Sequence, residues 1–454
     1  MTEARTPIRS VAICGGGLVG LSAAIAFARA LPGIGVLLIE TPADPAALAD
    51  RLPAVLPTGL AFLDRLGLDA DGLIAGGIAT HRIATRYVGW RPDGGDVVHV
   101  FGTGDAGDAG LHRRWSSIAR HGAAAPFHHL LLGGALAERE RMMMSAEAPA
   151  FALRLDPSRA RPLFMEAARR VGVRFASGRI VGAARKEDGD VAAVLLDEDR
   201  RASADLFVDA TGPAATLAGM VGEDEFEDWS TLLPETRLVL GEVAGAPSPV
   251  DRVTRTASGW RAAWPLGDRH LVGTGYRADA DDVPCDVIAL RPGRRHAPWR
   301  RNVLALGDAA IAPGALEWAG LPLAHAGLDL ALDLLPGRDM HPLELAEYNR
   351  RIGLRGDRVR DFLTLLRPGG PSSSRTLDQF ARRGLLLHHE EESFERDSWL
   401  TMLLGLGIVP QRADPLTPGS NAAELEEAAA QLAAIADQAP SYPDLLRRIR
   451  RITA

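Results

Sequence analysis

The chain has 454 residues, 46% hydrophobic and 24% charged, with a formal net charge of −7. That composition excludes a mainly disordered or collagen-like chain, and the acidic balance argues against nucleic acid as the main partner. Two cysteines, Cys14 and Cys285, allow no disulfide framework, a usage that fits a reducing cytoplasm.

At about 150 residues per domain, the length suggests about three structural units. No stretch approaches the run of about 20 apolar residues that crosses a bilayer. The opening Met-Thr-Glu-Ala-Arg-Thr-Pro lacks the pattern of a signal peptide, so a cytoplasmic protein without membrane partners is expected. Lys186 is the single lysine among 51 basic residues, the rest being arginine. Any mechanism that needs a buried lysine must therefore use Lys186.

Residues 10–40 read strand, glycine turn, helix, strand. Gly15-Gly-Gly17-Leu-Val-Gly20 is a GxGxxG between an apolar run and an Ala-rich helix, and Glu40 ends the next strand twenty residues after Gly20. Glycines allow a tight turn and close backbone approach, the helix N-terminus faces a pyrophosphate, and the acid receives a ribose hydroxyl. Residues 83–101 alternate as strands do. His128-His129 invites a metal reading, but neighbours on one element point apart and no ligand spacing recurs nearby, so no metal is expected. Met142-Met-Met144 reads as mobile core filler or the lining of a greasy channel.

Lys186 falls in a turn between two strands, on the expected surface. Asp205-Leu-Phe-Val-Asp-Ala-Thr-Gly212 is a strand ending in a small-residue turn, a return to the first domain. Glu223-Asp-Glu-Phe-Glu-Asp228 reads as a solvated loop. Residues 237–244 and 258–276 alternate again and extend a second sheet. Asn302–Asp308 is a third strand of the first domain, followed by Pro313 and a long apolar helix to about Leu335. A carboxylate at Gly307-Asp308 can meet a ribityl chain, and the helix would aim its positive end at a flavin pyrimidine edge. With GxGxxG and Ala-Thr-Gly before it, this favours FAD over NAD.

Residues 341–410 read as helical and Arg-rich. Pro368–Ser374 reads as a loop or mobile linker. His388-His389-Glu390-Glu-Glu392 reads as solvated or capping, with no metal. Residues 421–435 and 445–452 form helices, the latter ending on Arg447-Arg448 and Arg450-Arg451, where cations suit the dipole.

The expected fold class is α/β: a Rossmann-like FAD-binding fold of aromatic-hydroxylase type, with an inserted, mostly antiparallel β-sheet substrate domain and a C-terminal helical region. The FAD-binding domain would be discontinuous over 1–45, 155–215 and 300–340, the substrate domain would cover 46–154 and 216–299, and the helical region 341–454. The expected FAD contacts are Gly15, Gly17, Gly20, Glu40, Gly307, Asp308 and Pro313.

Over nearly its whole length the chain resembles the flavin-dependent tryptophan halogenase superfamily, a branch of the FAD monooxygenases. The resemblance runs through the GxGxxG, Trp260 and Pro265 in Gly259–Arg269, the Arg291–Asn302 segment, Leu316-Glu317 with Gly320, Arg358-Val-Arg-Asp-Phe362 and Trp399–Pro410. It implies FAD, reduced by a separate flavin reductase or by NAD(P)H, and an aromatic substrate. It also implies a lysine that captures hypochlorous acid and a glutamate close to the substrate. The lysine slot falls in Ala79-Thr-His-Arg82-Ile-Ala-Thr-Arg86-Tyr87, where Arg82 stands. Arginine stays protonated and cannot become a chloramine-forming amine. The Ser-Thr pair after the family glutamate is Trp318-Ala319, the Trp-x-Trp-x-Ile-Pro signature reads Trp260-Arg-Ala-Ala-Trp264-Pro265, and Gly307-Asp308-Ala-Ala with Pro313 resembles aromatic hydroxylases more.

The expected activity is therefore FAD-dependent hydroxylation of an electron-rich aromatic through a flavin hydroperoxide, with an indole or tryptophan side chain favoured. Within the superfamily this resembles monooxygenases that oxygenate a protein-bound tryptophan during tryptophylquinone biogenesis. A small-molecule aromatic hydroxylase of secondary metabolism, a halogenase and a non-catalytic flavin-binding scaffold are the alternatives. Glu317 is the expected base or indole N–H acceptor, or else a helix-start carboxylate satisfied by backbone N–H groups. Failing Glu317, the histidines would supply the base, His129 first. Arg82 would bind a carboxylate or peptide oxygen or orient the peroxide, or form an ordinary ion pair.

Overall fold

A central strand flanked on both edges and covered on both faces must be apolar throughout. β1 (Ser10–Cys14) is such a strand: four of its five residues are buried. It pairs in parallel with β2 (Gly35–Glu40) on one side and with Leu206–Asp209 on the other. The six-stranded sheet runs 299–300, 303–305, 206–209, β1, β2, 174–177, parallel except for the first pair. α1 (Leu18–Ala30) begins at the glycine turn and buries ten of its residues, Leu18 to Phe27. This is the Rossmann-like arrangement that the glycine pattern predicts. The computed structural model describes residues 6–102, 110–122, 124–145, 147–222, 225–367, 375–387, 389–412 and 421–453.

The alternating segments form a seven-stranded sheet in the order 288–289, 237–244, 269–276, 259–265, 250–256, 84–88, 97–100. It is antiparallel except where 250–256 runs parallel to 84–88. Its register decides the site. With β3 (Ala79–Arg82) in a small neighbouring sheet, β4 (Ala84–Val88) places Thr85 opposite Asp251 on one side. On the other side it places Thr85 opposite His99 of β5 (Val97–Val100). Directly opposed residues share a face, and side chains alternate along a strand. Asp251, Thr85 and His99 therefore form one row, with Tyr87 beside it.

α2 (Gly320–Asp333) and α3 (Pro342–Thr364) follow, then helices at Arg375–Arg383, Arg396–Gly405, Ala422–Gln438 and Tyr442–Thr453. None of the described helices is long and apolar enough to cross a membrane. The expected linker at Pro368–Ser374 and His388 lie outside the described residues.

Two expectations need correction. Phe226–Asp228 is not a solvated loop but a strand paired with Gly293–Arg295, because Glu227 is drawn in by Arg294 and Arg360. His128 and His129 do not point apart. A 3₁₀ turn at Phe127–Leu130 brings their rings to 4.5 Å, and both reach Glu138. Arg86 also bonds Glu138 Oε1 at 2.8 Å, so a guanidinium already supplies the cation there. Met142 is fully buried, as core filler requires, and Met144 is exposed. Lys186 sits half-exposed in its turn, 3.8 Å from Asp190.

Candidate active site

The predicted cofactor residues converge. Gly15 has φ +126°, and a Cβ there would lie 2.2 Å from the Ala210 carbonyl oxygen. A Cβ at Gly20 would lie 2.0 Å from the Gly15 carbonyl oxygen, so only glycine lets α1 pack this close to the strand ends. Gly307, at φ +61°, brings the third motif against Val19 at the start of α1. Glu40 pairs with Arg161 at 2.6 Å, and the same arginine bonds the Gly16 carbonyl. Pro313 lines a small recess with Leu316, Trp260, Glu235 and Arg367.

The sequence reading missed Asp50. Its Oδ1 accepts the Val19 amide at 2.9 Å, and its Oδ2 lies 2.0 Å from where a Gly17 Cβ would stand. A carboxylate thus holds the free amides of the α1 N-terminus, the seat expected for pyrophosphate. Burial pushes the Asp50 carboxyl up to about 6, against the pull of those amides and Arg161. Asp308 is also engaged: its Oδ2 accepts the Ala49 amide at 2.7 Å, and burial pushes it up to about 8. Ala47 and Asp44 lie against Gly212. Segment 44–50 thus runs along all three motifs. The cleft suits a dinucleotide, since a carboxylate marks its anion seat and the glycines add no side chains of their own to it.

The second site centres on Glu317, in a tight turn where Glu317 has φ +59° and Trp318 φ +52°. Two consecutive left-handed residues are strained unless their surroundings hold them, and the surroundings of Glu317 do. Arg82 donates to the Glu317 carbonyl at 3.0 Å and forms an ion pair with Oε2. Tyr87 donates to Oε1 at 2.5 Å, and His99 Nδ1 lies 3.0 Å from the same oxygen. The carboxylate is therefore satisfied by side chains, not by backbone N–H groups at a helix start. Burial alone would push it up, but Arg82, His99 and Tyr87 overcome that and hold it well below the usual carboxylate range.

Arg82 is buried and already paired with two carboxylates of the chain itself. Besides Glu317, it bonds Thr85 Oγ1 at 2.7 Å and lies 2.8 Å from Asp251. Its carboxylate-binding expectation is corrected accordingly: the ion pair stands. His129 is also misplaced as a reserve base. It lies with Glu138 and Arg86, whose side chain leaves β4 between those of Thr85 and Tyr87 and so points away from Glu317. His99 is the histidine that reaches Glu317. Its Nε2 is buried with no partner among the described residues, amid Phe101, Phe362 and Phe394 with ring centroids 4.9, 5.3 and 6.1 Å away. The Thr85/Tyr87 alternation could have revealed Tyr87 from sequence. His99 and Asp251 needed the strand register.

The tryptophan halogenase family profile matches residues 10–421. Tryptophan 7-halogenase KtzQ of Kutzneria sp. (strain 744) is 26% identical over 405 residues, covering 78% of this chain and 75% of that one. Tryptophan 7-halogenase RebH of Lentzea aerocolonigenes is 25% identical over 403 residues, with the same coverage. Among solved structures, BrvH, a flavin-dependent halogenase from Brevundimonas sp. BAL3, superposes with a TM-score of 0.88 at 27% identity, covering 97% of this chain and 99% of that one. Xcc4156, a flavin-dependent halogenase from Xanthomonas campestris, gives 0.87 at 26% identity, with 98% of each chain covered.

Proposed function

The chain belongs to the tryptophan halogenase family and is a flavin-dependent, FAD-using oxidoreductase; from that premise we propose that it oxygenates an electron-rich aromatic ring, an indole favoured, with Glu317 as its base. The observation that carries this reading is Arg82: a buried guanidinium, paired with Glu317 and Asp251, holds the place the resemblance assigns to a reactive amine. A guanidinium stays protonated and cannot take up halogen as a haloamine.

Bound, reduced FAD supplies two electrons and activates O₂, so that one oxygen atom reaches the ring and the other leaves as water. The chain's residues do the rest. Gly15, Gly17, Gly20, Glu40, Gly307, Asp308 and Pro313 would hold the cofactor. Phe101, Phe362 and Phe394 pack around His99, and such apolar surroundings exclude water and strengthen every charge inside. As electrophilic oxygen adds to a ring carbon, positive charge spreads over the ring. The ionised Glu317 stabilises that charge and accepts the proton that leaves. Tyr87 and His99 fix Oε1, and the free Nε2 of His99 offers one polar contact to a substrate.

The second reading is halogenation, favoured because the relatives and superposed structures are named halogenases. One experiment separates the two. Purified protein is incubated with FAD, a flavin reductase, O₂ and either free indoles or tryptophan-containing peptides, with and without bromide, and products are read by mass spectrometry. Oxygenated product independent of bromide supports the proposal, and halogenated product overturns it. Peroxide release with no product in any arm points to a non-catalytic scaffold.

A further inference from the structure

Glu317 does not hold Arg82 alone. Arg82 Nε lies 2.8 Å from Asp251 Oδ2, an ion pair in which neither atom makes a hydrogen bond among the described residues, and Asp251 Oδ1 accepts from Arg154 at 2.6 Å. Arg154 in turn donates to the carbonyls of His81 at 2.5 Å and Ser248 at 2.6 Å. None of the four side chains Arg154, Asp251, Arg82 and Glu317 belongs to a residue more than 3% exposed. Their charges alternate and sum to zero. Isolated buried charges are costly unless paired, so the ionised state of Glu317 depends on the whole row, not on one ion pair.

We propose that Asp251 is a positioning residue for the chemistry at Glu317, its charge beside Arg82 Nε holding the guanidinium so that its terminal nitrogens stay aimed at the carboxylate. Arg154 neutralises Asp251 and fixes it from behind. This rests on the reading of Glu317 as the base. The physical reason lies in the shape of arginine, whose planar fork has three edges. Without that counter-charge, the plane can turn about the last side-chain bonds and carry Glu317 Oε2 with it. Oε1 would then leave its position between Tyr87 and His99. Displacements of about 1 Å at a reacting group can cost about a hundredfold in rate. The opposition of Asp251 and Thr85 across parallel strands keeps the ion pair in register, since Thr85 bonds Arg82.

The test compares kcat, KM and thermal melting for Glu317→Gln, Arg82→Gln, Asp251→Asn, Arg82→Gln/Asp251→Asn and Asp251→Asn/Arg154→Gln. Asp251→Asn should lower kcat by about tenfold to a hundredfold while KM stays within about twofold. The Arg82/Asp251 double variant should be no slower than Arg82→Gln, because Asp251 acts through Arg82. Asp251→Asn/Arg154→Gln removes one charge of each sign and should recover the melting temperature but not kcat. If kcat returns with stability in that variant, Asp251 only balances charge for folding and the inference fails. It also fails if the losses of Arg82→Gln and Asp251→Asn multiply, or if Asp251→Asn turns over at the wild-type rate. Should Asp251→Asn not fold, the neutral double variant carries the kcat comparison. Glu317→Gln near wild-type turnover removes the base reading and this inference with it; a slow Glu317→Gln beside a fast Asp251→Asn removes only the positioning role.

Discussion

The carboxylate of Asp50 accepts the amide of Val19 at 2.9 Å, so one acidic side chain occupies the positive end of the helix on which the dinucleotide motif depends. A pyrophosphate at those amides, where the glycine motif predicts it, would meet an intramolecular anion first. Binding there would require Asp50 to give way.

Asp50→Ala is expected to tighten FAD binding at pH 8 by about fivefold to tenfold, the scale of one helix N-cap contact. The pH dependence has a definite sign. With its carboxyl raised to about 6, Asp50 is a full anion at pH 8 and largely neutral at pH 5. Wild-type affinity should therefore rise on acidification through about 6, and the variant should lose that slope. Flavin fluorescence titrations at several pH values read both effects; unchanged affinity and slope would mean that Asp50 does not hold the pyrophosphate seat.

Gly17→Val should abolish FAD binding. The branched side chain would fill the space where Asp50 Oδ2 now stands, 2.0 Å from the Cβ position, and pyrophosphate would be shut out with it. Full yellow colour in the purified variant would show that the glycine loop is not the cofactor seat.

Asp308→Asn should separate stability from cofactor affinity. Asp308 is raised to about 8 by burial, so the folded state binds its proton more tightly than the unfolded chain does. Its ionisation therefore opposes folding, a cost absent below the ordinary carboxylate range and complete above about 8. The cofactor-free variant should melt higher than wild type at pH 9, with the gain gone by pH 4. FAD affinity should fall at the same time, because the amide meets a ribityl chain less strongly. Melting curves at the two pH values, beside a flavin titration, check both halves.

Glu317→Gln should lower turnover by about a hundredfold to ten-thousandfold, the range for loss of an acid–base group, with FAD binding little changed. Because Arg82 then loses a buried counter-charge, melting must be measured beside turnover. Turnover within about twofold of wild type would leave Glu317 a structural residue.

Halide should give no halogenated product, and Arg82→Lys should not create that activity. The new ammonium would stand between the buried carboxylates of Glu317 and Asp251, which hold it protonated and unreactive. Chromatography of indole reactions with bromide reads the outcome. Enzyme-dependent bromoindole that disappears in Arg82→Ala would refute it.

The cofactor half of this protein was legible in the chain because its physics is local. A glycine turn, a strand on each side and an acid twenty residues on are fixed by spacing along one βαβ unit, and Gly15, Gly17, Gly20 and Glu40 sit where that spacing puts them. Glu317 and Arg82 could be named only through resemblance, although 235 residues separate them. Asp50 was invisible because nothing in its own neighbourhood marks it; it matters only once the chain folds it onto α1.

What tertiary structure alone decided was which groups meet in the dry interior. Asp251, Thr85 and His99 lie on three strands whose register sets one row, and a shift of one residue would turn each side chain to the other face. Sequence determined that the chain carries a dinucleotide cleft, a second sheet and an arginine where its relatives' resemblance implies a lysine. Only the fold decided that this arginine lies between two buried carboxylates, because charge pairing away from water depends on distances that strand pairing, not sequence spacing, creates.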